Sequence, residues 1–227
     1  MTTVKPQPPS TAVATRPVRK PSDFQGCVLI PLSEFGLSLD SPGLGTWFED
    51  FAGRNKDAVG EFEITAQGEL KIMPPTGIPG AWFELEMASA VLVWAHGYGG
   101  IASGPTIRFV MPDGAILGPD ASWISEERWN ALPAEARTPP FASVVPDFVA
   151  EIVSPSNRAA ELADKVRAYL EGGARLVWVI HPRNRTVAIY RPGVEPEALG
   201  DPETLEGGDV LPGFSFNVRE RIFDNVR

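Results

Sequence analysis

The segment from residue 146 to residue 180 constrains the fold more than any other part of the chain. A short apolar run, PDFVAEIV at 146–153, precedes SPSN and a stretch with helical spacing over about 158–171. Gly172 and Gly173 end the helix. They are followed by ARLVWVIHP at 174–182, a nearly continuous apolar run typical of a strand buried on both faces. A strand, a helix and a second strand in this order predict two parallel strands covered by the helix.

Antiparallel elements are predicted on both sides of this unit. GEFEITAQGELKIM at 60–73 alternates apolar and polar residues around Gln67-Gly68, which is the signature of a hairpin. A helix is predicted over 82–96, a second hairpin over 106–124, and helical turns over 125–136. TVAIYRP at 186–192 and GDVLPGFSFNV at 208–218 predict two further strands, the last at an edge of the sheet. We therefore predict an α/β fold with a mixed central β-sheet flanked by helices.

The first 22 residues differ in composition from the rest of the chain. They contain five prolines and no large aromatic side chain, so burial cannot offset the entropy of ordering them. We predict a disordered or loosely docked Pro-rich tail at 1–22 and a single domain at 23–227. No apolar run approaches 18 residues, which argues against a membrane span. Cys27 is the only cysteine, so no internal disulfide is possible and a cytoplasmic location is expected.

The charge of the chain is acidic and unevenly distributed. The net charge is −9, and the tail holds four basic residues and no acid, so the remainder carries −13. A protein that binds long nucleic acid on its own usually has a basic face, and this composition shows none. An acidic balance fits a site for divalent cations and fits a soluble surface equally well.

The first strand of the central unit carries an acidic residue among apolar neighbours. Its two-residue period places Asp147, Val149 and Glu151 on one face, and Phe148 and Ala150 on the other. A buried carboxylate must be ion-paired, hydrogen-bonded or bound to a metal, because an isolated buried charge is very costly. Two hypotheses follow for Glu151: a structural salt bridge to a lysine or arginine, and a functional carboxylate.

The helix after this strand offers a basic partner. At about 100° per residue, Lys165 and Arg158 fall along one margin of the stripe formed by Leu162, Val166 and Tyr169. Lys165 can therefore lay its methylenes against the sheet and extend its ammonium towards the carboxyl end of the strand. A lysine at such a position can also extend to water, and both interpretations are open.

A third candidate, Asp120, follows Pro119 at the head of another predicted strand. An aspartate after a proline is commonly a turn residue. Two acids on neighbouring strands with a lysine nearby also form an arrangement suited to a hard cation. Such a cation takes carboxylate oxygens and a backbone carbonyl and keeps several waters. The sequence therefore suggests Asp120 and Glu151 as a pair of acids served by Lys165.

Several segments resemble one known family in the order in which they occur. They are GPDASWISEERWNAL at 118–132, PDFVAEIVSPSN at 146–157, the lysine-bearing helix, GGARLVWVIHPRNRTVAIYRPG at 172–193 and GGDVLPGFSF at 207–216. Together they are similar to the Uma family of putative restriction endonucleases, part of the PD-(D/E)XK nuclease superfamily. The resemblance covers roughly residues 60 to 218 and implies a restriction-endonuclease-like core with an N-terminal extension.

The resemblance implies a role for each member of the suggested site. Asp120 matches the aspartate of the PD motif, and Glu151 matches its acidic partner. The superfamily places lysine two residues after that acid, where this chain has Val153, and the lysine of this family matches Lys165 on the next helix. Mg²⁺, with Mn²⁺ as a possible substitute, would be bound by Asp120, Glu151 and the backbone carbonyl of Ile152.

Four further residues are expected to support the site. The superfamily often has a glutamate on its first core helix, and Glu84 and Glu86 flank the apolar stripe of that helix here. Asp147 shares the strand face of the proposed acid, and Arg158 shares the helix margin of the proposed lysine. We treat all four as supporting residues only.

Three functions from different classes are consistent with the sequence. The leading hypothesis is a Mg²⁺-dependent endonuclease that hydrolyses phosphodiester bonds in DNA. The alternative is a catalytically silent protein of the same fold that acts as a protein-interaction or regulatory module, which the acidic composition favours. Hydrolysis of a small phosphoester is a third possibility. Cleavage of a duplex requires two active sites or a reorientation of one, so a homodimer is expected on mechanistic grounds.

Overall fold

A computed structural model of the chain describes residues 27–57, 60–137, 143–154 and 157–226. The tail predicted at 1–22 lies outside the described residues, and the single domain at 23–227 stays a prediction. In the described part of the chain, no helix has both the length and the apolar character needed to cross a membrane.

The strands and helices of the described residues are numbered here in chain order. The strands are β1 Val28–Pro31, β2 Glu61–Ile64, β3 Glu69–Met73, β4 Ile101–Ser103, β5 Phe109–Val110, β6 Ile116–Leu117, β7 Ala121–Ile124, β8 Phe148–Ile152, β9 Leu176–His181, β10 Thr186–Tyr190, β11 Glu197–Gly200, β12 Leu205–Glu206 and β13 Ser215–Phe216. The helices are α1 Leu44–Arg54, α2 Ile78–Tyr98, α3 Glu126–Ala131, α4 Ala159–Glu171 and α5 Val218–Arg221. Short 3₁₀ helices span Leu32–Phe35, Ala134–Arg137 and Phe223–Asn225.

The central sheet has six strands in the order β11-β10-β9-β8-β7-β4. Strands β8 and β9 are parallel and are joined by α4, whereas the other neighbours in this sheet are antiparallel. The predicted mixed α/β fold is therefore confirmed. It follows from the apolar runs of β8 and β9, which are buried on both faces as central strands must be.

Helices cover the two faces of the central sheet. On one face, α2 packs with the C-terminal segment around a core that includes Met87, Phe148 and Trp178. On the other face, α4 packs through Val166 and Tyr169. The alternation predicted along β8 is confirmed, because Phe148 and Ala150 face the first core and Val149 faces the second.

A second sheet of five strands, in the order β1-β3-β2-β6-β5, lies beside the first. One face of this sheet packs on α1 through residues that include Phe48, Ile64 and Leu70. The hairpin predicted over 60–73 is confirmed as β2 and β3. The predicted hairpin over 106–124 is only partly right, because the chain leaves this sheet after β6 and enters the central sheet as β7.

The C-terminal segment corrects one further prediction. Residues 208–218 were expected to add an edge strand to the central sheet, and that prediction is wrong. Instead, β13 pairs with β12 in a separate two-stranded sheet, and the edges of the central sheet are β11 and β4. The apolar residues of this segment, Val210, Leu211, Phe214 and Phe216, fill the core beneath α2 and do not extend the sheet.

The core under α2 generates a test of the fold. Met87 is fully buried, so Met87→Ala leaves a cavity and is expected to lower the free energy of unfolding by about 2–5 kcal/mol. Val194 is an exposed apolar residue, and Val194→Ala is expected to change it by no more than about 0.5 kcal/mol. Chemical denaturation of the two variants measures the difference, and equal values would contradict this placement of α2.

Candidate active site

A polar pocket lies where the two sheets meet. Its walls are the hairpin of β2 and β3, the first turns of α2, the carboxyl end of β8 and one side of α4. The charged residues that line it are Glu61, Glu63, Lys71, Glu84, Asp120, Glu151, Glu161 and Lys165. The pocket thus contains Asp120, Glu151 and Lys165, the three residues suggested by the sequence, and it carries an excess of negative charge.

Lys165 lies at the centre of the contacts in this pocket. Its ammonium is mostly buried and lies 3.0 Å from Oε1 of Glu63 and 3.0 Å from Oε1 of Glu151. It also donates a hydrogen bond of 2.8 Å to the backbone carbonyl of Gly118. Burial alone lowers the pKa of a lysine, but the carboxylates of Glu151, Glu63 and Asp120 outweigh it and raise the pKa of Lys165. Lys165 therefore keeps its positive charge at neutral pH.

Glu151 lies on the face of β8 that packs against α4, and it is 7% exposed. The hydroxyl of Tyr169 donates a hydrogen bond of 3.1 Å to Oε1, and the ammonium of Lys165 donates one of 3.1 Å to Oε2. Lys165 and Tyr169 can both reach Glu151 because residues four apart lie on one face of α4. An ionised carboxylate accepts about four hydrogen bonds, so these donors orient Glu151 without exhausting it.

Asp120 lies at the head of β7, next to Glu151 on the neighbouring strand. The antiparallel register pairs Ala121 with Ala150, which places the preceding aspartate beside the following glutamate. The backbone N–H of Ile152 donates a hydrogen bond of 2.6 Å to Oδ2 of Asp120 and fixes this carboxylate at the end of the strand. Pairing of β7 with β8 thus brings the two acids together across the sheet.

The segment before Asp120 has no room for a side chain at position 118. A Cβ on Gly118 would lie 2.2 Å from a guanidinium nitrogen of Arg108 and 2.9 Å from the carbonyl oxygen of Ile107. Arg108 cannot easily move, because its guanidinium donates to three backbone carbonyls and pairs with Glu61 at 3.0 Å. The close approach lets the backbone of Gly118 contact both Lys165 and Glu63.

Ionisation of the two proposed acids, Asp120 and Glu151, is less favourable in this pocket than in water. Burial, together with the charge of Glu151, raises the pKa of Asp120 well above its ordinary value. Burial also raises the pKa of Glu151, and the charge of Glu63 adds to that effect although Lys165 opposes it. Both carboxyls therefore hold a proton more readily than in water, and a cation bound beside them would take the place of that proton.

Glu63 is a member of this cluster that the sequence analysis missed. It is 2% exposed, and Oε1 accepts a hydrogen bond of 2.8 Å from the N–H of Gly118 as well as contacting Lys165. Burial opposes its ionisation, but Lys165, Arg108 and Lys71 lower the pKa of Glu63 below its ordinary value. The signal in the sequence that could have found it is the polar face of the hairpin, on which Glu63 and Lys71 both lie.

Glu63 and Lys71, on the polar face of the hairpin, are buried against α4. Glu63 pairs with Lys71 across β2 and β3, and both side chains are buried. Lys71 in turn lies 3.3 Å from Glu161 on α4. Two ion pairs, Glu63 with Lys165 and Lys71 with Glu161, therefore join the hairpin to α4 at the pocket.

Of the four residues expected to support the site, Glu84 lines the pocket and the other three do not. Glu84 lines the pocket, and burial raises its pKa. Glu86 does not line it, because its carboxylate contacts Arg221 at 2.5 Å near the C-terminus. Arg158 does not line it either, and its side chain is largely exposed and lies 3.5 Å from Glu161.

Asp147 also lies away from the pocket, at the other end of β8. Its Oδ2 accepts a hydrogen bond of 2.8 Å from the N–H of Ser125, and its Oδ1 lies 3.1 Å from Arg128. These contacts hold the start of α3 against the sheet. Its burial is therefore explained by a structural ion pair and a backbone hydrogen bond.

A divalent cation fits the donors of the pocket in type and charge. No cluster of three or more histidine, cysteine, aspartate and glutamate side chains within the described ranges is arranged to hold a metal. Mg²⁺ does not require such a cluster, because it keeps several waters and often binds through only one or two carboxylates. Asp120 and Glu151 supply two carboxylates, and burial raises the pKa of each, so both bind a positive species more readily than they would in water.

Comparison with solved structures shows which known fold this chain shares. The chain is similar to a solved structure described as a putative nuclease belonging to DUF820 from Anabaena variabilis ATCC 29413, with a TM-score of 0.64. The two are 19% identical, and the match covers 73% of this chain and 91% of that one. At this identity the likeness shows a common fold, that of a putative nuclease. No curated protein matches the chain.

The family is established by a second comparison. Residues 48–219, more than half of the chain, match the model of the Uma2 family, described as "Putative restriction endonuclease". The chain therefore belongs to this family, and the resemblance found in the sequence is confirmed. Family membership and fold together support a nuclease.

The raised pKa of Asp120 predicts how the stability of the metal-free protein depends on pH. The folded state holds a proton that the unfolded chain releases, so this favourable contribution is complete below the ordinary value of 3.8. It is lost as pH rises through the folded-state pKa. In EDTA, wild type should therefore lose more stability than Asp120→Asn between about pH 4.5 and about pH 8. Parallel stability curves from urea denaturation would contradict the assigned environment of Asp120.

Glu63 and Glu61 provide a matched pair on one strand. Glu63→Gln keeps the shape of a buried side chain but leaves Lys165 short of one counter-charge, which should cost about 3–5 kcal/mol of stability at neutral pH. The side chain of Glu61 is 44% exposed, so Glu61→Gln should cost less than about 1 kcal/mol. Denaturation at neutral pH compares the variants. If Glu63→Gln lowered the free energy of unfolding no more than Glu61→Gln, the central role of the contact between Glu63 and Lys165 would be contradicted.

Proposed function

We propose that this protein is a divalent-metal-dependent endonuclease that hydrolyses phosphodiester bonds in DNA. The observation that carries the proposal is the meeting of Asp120, Glu151 and Lys165 in one pocket at the end of β8. Asp120, Glu151 and the backbone carbonyl of Ile152 would bind Mg²⁺, and Mn²⁺ could replace it. The bound ion would polarise the phosphodiester and lower the pKa of a bound water.

The protein groups have distinct tasks in this proposal. The N–H of Ile152 holds the carboxylate of Asp120, and Tyr169 holds that of Glu151, so both acids are oriented before a cation arrives. Lys165 has a raised pKa and stays protonated, which excludes it as a general base at neutral pH. Its ammonium instead offers positive charge where negative charge develops on the phosphoryl oxygens.

The pocket itself restricts how DNA can be bound. Its acidic lining repels a phosphate backbone, so binding of substrate should depend on the divalent cation as well as on Lys165 and Lys71. Cleavage of both strands of a duplex also requires two active sites or a reorientation of one. A homodimer is therefore part of the proposal.

One observation favours the catalytically silent alternative. Lys165 already contacts Glu63, Glu151 and the carbonyl of Gly118, so its ammonium is saturated in the absence of substrate. A lysine in such a cluster can serve stability alone. The alternative then explains the pocket as a buried ion network that joins the two sheets.

Cleavage assays distinguish these functions. Purified wild type is incubated with supercoiled plasmid, single-stranded DNA, RNA and a small phosphodiester, in Mg²⁺, in Mn²⁺ and in EDTA. We expect metal-dependent nicking of DNA that falls at least about 100-fold in Asp120→Asn, Glu151→Gln and Lys165→Ala. The exposed Glu127, outside the pocket, supplies the control Glu127→Gln, which should retain full activity.

Each other outcome has a definite meaning. Activity that persists equally in the three pocket variants would come from a contaminant and would contradict the assigned site. Absence of cleavage in folded wild type with every substrate and metal would favour the silent alternative. Cleavage of the small phosphodiester alone would replace DNA as the substrate class.

A further inference from the structure

Helix α2 is apolar on two opposite faces. Phe83, Met87, Val91 and Ala95 are buried against the central sheet. The opposite face exposes a row of large apolar side chains, in which Ile78 is 88% exposed, Leu85 63% and Val93 72%. We call this row the α2 stripe; its members are Ile78, Trp82, Leu85, Ser89, Leu92 and Val93. A helix that is apolar all round is normally buried on all sides, so the stripe lacks a covering surface within the described ranges.

The chemistry of the stripe limits what can cover it. None of its residues is acidic or basic, and Glu86 at its edge is already paired with Arg221. Nucleic acid requires basic side chains, and interfacial helices that bind membranes usually carry lysine and arginine beside the apolar face. The stripe therefore fits another uncharged apolar protein surface.

We propose that the α2 stripe binds the same stripe of a second copy of this chain, in a two-fold dimer with antiparallel α2 helices. The large apolar residues Leu85 and Val93 are placed symmetrically about Ser89, four residues before it and four after it. An antiparallel crossing at Ser89 therefore places Leu85 against Val93 of the second copy. A two-fold interface requires this kind of self-complementarity.

Size and hydrogen bonding also favour a second copy. The stripe exposes several hundred Å² of apolar surface, on the scale of the ~800 Å² per partner of a standard interface. The hydroxyl of Ser89 donates to the carbonyl of Glu86 at 3.1 Å, so burial at the crossing leaves it satisfied. Residues 1–22 contain no leucine, isoleucine or aromatic residue, which makes that segment a poor cover for the stripe.

The dimer would bring the two candidate active sites beside its interface. Glu84 lines the pocket, and the next residue, Leu85, belongs to the stripe. Two pockets would then flank one two-fold axis, an arrangement that allows both strands of a duplex to be cut. This consequence rests on the proposed function, whereas the dimer itself does not.

Sedimentation equilibrium of the full chain at about 1–100 μM tests the interface. We expect a dimer for wild type and a folded monomer for the double variant Leu85→Glu, Val93→Glu, because four buried charges would face one another. Val194 is 65% exposed and apolar but lies outside the stripe, so Val194→Glu should remain a dimer. Circular dichroism establishes that the variants are folded.

Cross-linking tests the crossing point without disturbing it. With Cys27 replaced by serine, Ser89→Cys should give a cross-linked dimer on a denaturing gel after treatment with a short bis-maleimide. Val194→Cys in the same background should stay monomeric on that gel. A dimer in solution that is not linked through position 89 would overturn the antiparallel arrangement.

Three results would overturn the proposal. They are a wild-type monomer at about 100 μM, a dimer unaffected by the paired glutamates, and a monomer whose α2 amides exchange faster after removal of residues 1–26. The last result would assign the stripe to the N-terminal segment of the chain itself. The mass of Glu151→Gln should remain that of a dimer, so failure of the nuclease proposal and failure of the interface are distinguishable.

Discussion

The contacts of one ammonium group hold the two sheets together at the candidate site. Lys165 extends from α4 to Glu63 on β2, to Glu151 on β8 and to the carbonyl of Gly118 between β6 and β7. These partners belong to both sheets and to the segment that joins them. Because a buried ammonium is stable only when it is paired, the positions of these elements are mutually dependent. Asp120 lies two residues after Gly118 and is held beside Glu151 by the N–H of Ile152.

The acidic residues around Lys165 differ in how easily they ionise. Glu63 is surrounded by three basic side chains, which lower its pKa. Burial raises the pKa values of Asp120 and Glu151, and the charge of a neighbouring acid adds to each shift, that of Glu151 for Asp120 and that of Glu63 for Glu151. Glu63 is thus neutralised by the protein, whereas Asp120 and Glu151 bind a proton more readily than they would in water. Groups with strongly perturbed pKa values in a cleft are typical of functional sites. This difference gives the nuclease proposal its strongest physical support.

The local unit from β8 to β9 was predictable because its pattern is carried by consecutive residues. Period two along β8 and the helical spacing of α4 were sufficient to bring Glu151 and Lys165 close together. Glu63 was not predictable in this way, since its burial depends on α4 packing over a hairpin about 100 residues earlier in the chain. The edge strand β11 was missed for another reason: its residues are mostly exposed and carry no apolar alternation.

The central claim is that Asp120 and Glu151 form a binding site for one hard cation beside Lys165. Crystals grown or soaked in Mn²⁺ test it directly, because manganese gives an anomalous signal that the protein does not. The account predicts an anomalous peak in contact with both carboxylates and with the carbonyl of Ile152, and its loss in Asp120→Asn. A well-occupied peak elsewhere, or an empty pocket with Lys165 bridging the acids at high Mn²⁺, would contradict it.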